Sequence, residues 1–227
     1  MRAADFFDWP ASLATFAPHF RPEVPPWEWL PQIRIALQAL TTSMGRPHVP
    51  SGVHLEGAVW IHASVRLPAS ATIVGPVWLG PGTEVRPGAF IRGPVIAGER
   101  CVLGHACEFK NCLLLDGVQV PHLSYVGDSI LGNRAHLGAG AVCSNLRLDQ
   151  QPVVVRSADG RAHATGLKKF GAILGDAAEV GCNAVLNPGT ILGRRALVTP
   201  ALAFGGELPA NTMAHARPAV RFVPRRD

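Results

Sequence analysis

At 227 residues, with 48% hydrophobic and 16% charged side chains, the chain can bury a substantial core and is not disordered. Its net charge of +5 comes without a basic stripe interleaved with aromatics, which argues against a nucleic-acid partner. No apolar run is long enough to span a bilayer, and Asp5, Asp8, Trp9 and Pro10 stand where a secretory signal would need an apolar stretch. The five cysteines are odd in number and include no CxxC pair, which favours a reducing, cytoplasmic setting over disulfides or structural zinc.

Residues 1–50 read as an N-terminal helical segment. Pro25-Pro26, Trp27 and Trp29 lead into Leu30, Ile33, Leu37, Leu40 and Met44 at helical spacing, so a helix is expected from about Trp27 to Ser43. A short aromatic stretch around Phe6–Phe20 precedes it. The segment is expected to pack on the first coil of the repeats downstream and cover their apolar end.

From Leu55 an apolar residue recurs at every sixth position: Ile61, Leu67, Ile73, Leu79, Val85, Ile91, Ala97, Leu103 and Phe109. A five-residue step leads to Leu114, Val120 and Val126, and a second to Leu131, Leu137 and Cys143. The beat stops, then resumes from Leu174 to Phe204. A period of six fits neither an amphipathic helix nor a half-buried strand. It marks short strands joined by regular corners, three hexads to a coil, with stacked coils burying the beat together. A second series two residues ahead, including Val77, Thr83, Ala89, Val95 and Cys101, is small or β-branched and falls on the same strand face. Glycines such as Gly80, Gly98, Gly104 and Gly138 follow the beat, where a sharp corner accepts unusual backbone angles. The reading is an all-β solenoid over residues 51–204.

Residues 144–171 interrupt the beat. Val153-Val154-Val155 followed by Asp159-Gly160 signals a hairpin, and a long excursion from a solenoid corner is usually functional or a subunit contact. Residues 205–227 read as a C-terminal cap and a basic tail carrying Arg217, Arg221, Arg225 and Arg226.

Solenoid corners expose their polar residues. The densest group is Pro121–Asp128, with His122 able to take a proton near neutral pH and Tyr125 the one tyrosine of the chain. Either residue alone has an equally ordinary structural reading. His105 and His122 share a hexad position and should stack. A metal site of the kind built from an HxxxxH pair lacks that motif here, so no metal ligands are assigned.

The run PHLSYVGDSILGNRAHLGAGAVCSN from Pro121, continued by Asn145-Leu146-Arg147-Leu148-Asp149 and by KKFGAILGD from Lys168, resembles the acetyltransferase domain of bifunctional sugar-1-phosphate nucleotidylyltransferase/glucosamine-1-phosphate N-acetyltransferases. The likeness covers roughly residues 55–205. It implies a left-handed parallel β-helix, a homotrimer with sites between subunits, and acetyl-CoA-dependent N-acetylation of an amino-sugar 1-phosphate. By the same resemblance His122 is the general base and Asn145 lies near the thioester and pantetheine. Arg86 of the Arg86-Pro87-Gly88-Ala89 motif, Lys110, Tyr125, His136 and Lys169 bind the sugar phosphate, and Ala139 and Cys182 lie along the coenzyme. Arg86 and Lys110 occupy equivalent hexad positions, and we expect them to converge on one phosphate.

Three departures accompany the likeness. His136 stands where the family has a sugar-contacting Asn, Leu146 follows Asn145 as in archaeal-type sequences, and Cys182 replaces a small hydroxyl residue. No Gly-rich nucleotidylyltransferase loop precedes the repeats, so nucleotidyl transfer is expected from a separate protein. The alternative reading is a non-catalytic or regulatory trimer that binds a sugar phosphate or nucleotide sugar beside such a partner.

Overall fold

In the structure, a computed structural model, residues 1–40, 48–216 and 222–225 are described. The chain winds as a parallel β-helix of the left-handed hexapeptide type, about nine turns long. Each coil contributes one rung to each of three flat faces. Face I stacks rungs at Val53–Glu56 and Ala71–Val74, then the leading parts of Phe90–Ala97, Glu108–Leu114 and Tyr125–Leu131, then Val142–Cys143, Val185–Leu186 and Ala203–Phe204. Face II runs from Val59–Ile61 and Val77–Leu79 through the trailing parts of those three long strands to Ala172–Leu174, Thr190–Leu192 and Glu207–Leu208. Face III runs from Glu84–Val85 through Val102–His105, Gln119–His122, His136–Leu137, Glu179–Val180 and Leu197–Val198 to Met213–Ala214. The strands therefore continue past Phe204.

The single beat of the sequence becomes three columns, one per face, in one core: Ile73, Ile91, Phe109 and Val126 on face I, Leu79, Leu114, Leu131 and Leu174 on face II, Leu103, Val120, Leu137 and Val180 on face III. The companion residues Val77, Thr83, Ala89, Val95 and Cys101 are buried with them. The two five-residue steps leave one residue to turn from face I to face II. Asn111 and Asp128 take those corners in the left-handed region, at φ 48° and 46°.

The glycines after the beat serve a different purpose from the one expected. Gly80 and Gly138 do not have positive φ. A Cβ on Gly80 would sit 2.5 Å from the carbonyl oxygen of Gly98, and one on Gly138 would sit 2.6 Å from the amide nitrogen of Cys182. Close stacking of successive coils, rather than backbone angle, demands glycine there.

Residues 1–40, the described part of the N-terminal segment, pack along the side of the solenoid rather than over its apolar end, reaching the first coil at Trp60. They lie lengthwise over face II. The residue before each face-II beat from Ile61 to Leu192 is large and apolar: Trp60, Trp78, Ile96, Leu113, Ile130, Ile173 and Ile191. These form a second core with Phe6, Phe7, Leu13, Phe16, Phe20, Trp27 and Trp29. Phe16 meets Trp78 edge-on with ring centroids 5.2 Å apart. Each fully buried aliphatic or aromatic side chain here contributes about 1.5–3 kcal/mol. Helix α1 (Trp29–Gln38), entered through the turn Pro26–Glu28, buries Leu30, Ile33 and Leu37 on this face. Pro31 is tolerated because it lies in the first turn, where the amide would lack a partner. The part of the expected helix from residue 41 on, with Met44, lies outside the described residues, as do Arg217, Arg221 and Arg226 of the tail.

Polar groups latch the segment to the corner between faces II and III. Arg194 donates to Asp8 at 2.8 and 2.9 Å and to Asp176 at 2.9 Å. The amide of Asp8 donates to Asp176 at 2.9 Å, and Asn133 donates to the Asp8 carbonyl at 2.7 Å. The excursion leaves between the face-I rung Val142–Cys143 and the face-II rung Ala172–Leu174. It carries the expected hairpin, with Val154–Arg156 antiparallel to Ala162–Ala164. Val153 and Val155 bury into the second core, and His163 lies 5.9 Å from the Trp27 ring. Among the described residues no helix is long and apolar enough to cross a membrane.

Candidate functional site

The candidate residues other than His136 fall on face I and its two edges. At the edge shared with face III, successive corners make a ridge. His105 is in register with His122 on the next coil, as their hexad position implied. The amide of Gly140 donates to the carbonyl of His122 at 3.2 Å, and that of Asn183 to the carbonyl of Ala139 at 2.9 Å. Ala139 and Cys182 thus follow His122 down the same ridge, with Cys182 exposed. His122 is exposed, and the hydroxyl of Ser124 donates to its carbonyl at 2.9 Å. Arg86 also stands here, donating to Glu84 at 2.8 Å and reaching the Pro121 carbonyl at 3.5 Å.

At the opposite edge, shared with face II, Asp128 gathers donors. Lys110 gives it two hydrogen bonds, at 3.0 and 2.7 Å, and Asn111 one at 2.8 Å. Asn145 donates to the same carboxylate and, at 3.1 Å, to the hydroxyl oxygen of Tyr125. The excursion is anchored at this point: the amide of Phe170 donates to the Asn145 carbonyl at 2.9 Å and that of Gly171 to the Asp128 carbonyl at 2.8 Å. Lys169 is exposed and pairs with Leu146, which places it beside Asn145. Tyr125 faces outward between the two edges, level with Glu108 and Val142. Burial, with Glu108 and Asp128 adding to it, pushes its phenol above the ordinary value, so it is a neutral hydroxyl at physiological pH.

Lys110, Tyr125, Asn145 and Lys169 are therefore brought together. His122, Ala139 and Cys182 form a second group across the width of face I. His136 belongs to neither: it is half-buried on face III, paired with Gln119 and Glu179. Arg86 and Lys110 do not converge within one chain. Their separation is 24 residues, four hexads, whereas a coil is three, so the same hexad position recurs on a different face. The cation in register with Lys110 is Arg92, one coil earlier and held by Glu108 at 2.6 Å. Arg92, Glu108 and Asn111 were missed from the sequence, and Asp128 entered only as the end of the Pro121–Asp128 group, with no role assigned. The 18-residue spacing of Arg92 and Lys110 was the available signal.

A hexapeptide-repeat β-helix with a polar strip across one face defines the class of protein. The chain belongs to the family described as the GMPPB C-terminal domain, which matches residues 73–203, more than half of it. It is 34% identical over 175 residues to a bifunctional sugar-1-phosphate nucleotidylyltransferase/acetyltransferase of Sulfurisphaera tokodaii, covering 77% of this chain and 43% of that protein. It is 36% identical over 168 residues to the bifunctional protein GlmU of Methanococcus aeolicus, covering 74% of this chain and 40% of that protein. The chain thus spans less than half the length of these relatives. Among solved structures, the acetyltransferase domain of PglB from Neisseria gonorrhoeae, in complex with acetyl coenzyme A, is 19% identical at a TM-score of 0.35 over 61% of this chain and 53% of that one.

Proposed function

We propose that the chain is an acetyl-CoA-dependent N-acetyltransferase acting on an amino-sugar 1-phosphate of the glucosamine-1-phosphate kind. What carries the reading is the strip across face I. It sets a proton acceptor, His122, at one edge and the Lys110–Asp128–Asn145–Tyr125 cluster at the other. The sugar amine is an ammonium at neutral pH and must lose a proton before it can attack. That proton leaves to solvent; as the neutral nitrogen bonds to the thioester carbonyl carbon, His122 takes a further proton from it, and the C–S bond breaks as the tetrahedral oxyanion collapses. The proton on His122 then passes to the departing thiolate. The coenzyme arm runs along the ridge past Ala139 and Cys182, while Lys110, Tyr125 and Lys169 hold the sugar phosphate with Asn145 near the thioester. Arg86 and His136 join the sugar-phosphate set from a neighbouring subunit.

The assembly proposed is a homotrimer. Face II is already covered by the chain's own N-terminal segment, so subunits meet through faces I and III, and a neighbour supplies the second wall that exposed His122 lacks. The location proposed is the cytoplasm, in keeping with four buried free thiols. A separate nucleotidylyltransferase would take the acetylated product onward. The test is thiol release from acetyl-CoA with a panel of amino-sugar 1-phosphates. Turnover with one of them is expected. Sugar-phosphate binding without any coenzyme binding would overturn the enzyme and leave the regulatory trimer.

A further inference from the structure

Helix α1 walls a pocket at the very edge of face I that carries Lys110. Leu30, Pro31 and Arg34 line one side, within one helical turn of each other, and Gly93, Pro94, Lys110 and Asn111 line the other. Its volume is about 400 Å³. That is far more than a water needs and enough for a phosphate with part of the group that bears it.

The charges in this pocket do not balance. Lys110 donates to both carboxylate oxygens of Asp128, and the Asn111 amide group also donates to Asp128. Arg34 is exposed and forms no ion pair among the described residues. A second cation with five donors thus lines the same space as Lys110, over walls that are otherwise Leu30, Pro31, Gly93, Pro94 and Asn111, the last turned to Asp128. Two cations from independent elements, one fixed by the solenoid and one by a helix outside it, make an anion site. A planar guanidinium beside an ammonium suits a phosphate ester, which accepts a forked pair and a point charge together.

We infer that Arg34 is a phosphate-binding residue of the acceptor site, supplied by the N-terminal segment rather than by the repeats. The inference rests on the acetyltransferase reading and deepens it. It gives the segment over face II a second task besides covering apolar surface: its helix closes the phosphate end of the site within a single chain.

The test uses the full chain. Arg34→Gln and Arg34→Lys are compared with wild type and with Lys110→Met, with glucosamine 1-phosphate, UDP-glucosamine, unphosphorylated glucosamine and CoA titrated by calorimetry and the acceptors assayed kinetically. Arg34 is exposed, so melting temperatures should stay within a degree or two of wild type. Arg34→Gln is expected to weaken a phosphorylated acceptor about ten- to a hundred-fold, through KM with kcat nearly kept, and to leave glucosamine and CoA unchanged. Arg34→Lys should recover part of the loss. Whether the loss falls on glucosamine 1-phosphate or on UDP-glucosamine identifies the acceptor, and either supports the pocket. If Lys110→Met weakens the sugar phosphate and Arg34→Gln does not, the inference fails while the acetyltransferase reading stands. If Arg34→Gln weakens only CoA, the pocket belongs to the coenzyme and the inference fails. If the wild type binds neither acceptor, the parent reading falls first.

Discussion

Lys110 and Asp128 face each other across one rung at the corner between faces I and II, the ammonium donating to both carboxylate oxygens at 3.0 and 2.7 Å. Asn111 and Asn145 complete the shell of that buried carboxylate. The pair therefore organises the corner as well as carrying a binding group. Asp128→Ala strands an ammonium that is 19% exposed, leaves the Asn111 amide without its acceptor and leaves Asn145 with the Tyr125 hydroxyl alone. Breaking a buried pair from one side costs about 3–5 kcal/mol. The lower end applies here, or roughly 6–12 °C in Tm for a chain of this size. A thermal melt within 2 °C of wild type would show that the corner does not depend on the carboxylate.

His122 sits at an exposed corner and buries little, so its loss should separate chemistry from stability. His122→Ala is expected to lower acetyl transfer about 10²–10⁴-fold. The oligomer and its melting temperature should stay nearly unchanged. Activity within a few-fold of wild type would remove His122 as the base, and unfolding would make it a structural residue.

The five thiols divide sharply. Burial pushes Cys101 and Cys143 up to about 12 and raises Cys107 and Cys112 as well, whereas Cys182 is exposed on the ridge below His122. A thiol-specific aromatic disulfide at pH 8 should label Cys182 quickly in the native protein and the other four only after denaturation. Saturating acetyl-CoA should slow the labelling of Cys182. Unchanged labelling with the coenzyme bound would take the coenzyme arm off this ridge.

Glu84 ties Arg86 to the face-III edge. The Arg86 side chain foremost, and then Arg66, hold its carboxyl below the ordinary value of 4.5, against the opposing effect of burial. The unfolded chain therefore takes up the proton first. This stabilisation is present above pH 4.5 and is lost as pH falls through the lower folded value. Melts from pH 6 to 3 should fall in Tm, and Glu84→Gln should show a shallower fall and a lower starting point. Parallel curves for the two proteins would show that Glu84 carries none of the acid sensitivity.

Spacing alone determined much of this protein. A beat of six can be satisfied only by flat rungs and repeated corners, so the solenoid, its buried columns, the hairpin after Val153-Val154-Val155 and the stacking of His105 on His122 all follow from counting residues. The stripe of Trp60, Trp78, Ile96, Leu113, Ile130, Ile173 and Ile191 was equally countable at one residue before every third beat, and it marks the face that the N-terminal segment covers. What counting could not supply is which face a hexad occupies. Arg86 and Lys110 look equivalent in hexad phase, yet they stand at opposite edges of face I, because a coil closes after three hexads and theirs differ by four. Nor could it show that Asp128 draws in Lys110, Asn111 and Asn145, or that Arg34, far away in the sequence, lines a pocket with Lys110. Those relations depend on where a one-residue corner aims its side chain and on where a helix outside the repeats comes to rest. Long-range packing decides both, and no local pattern records them.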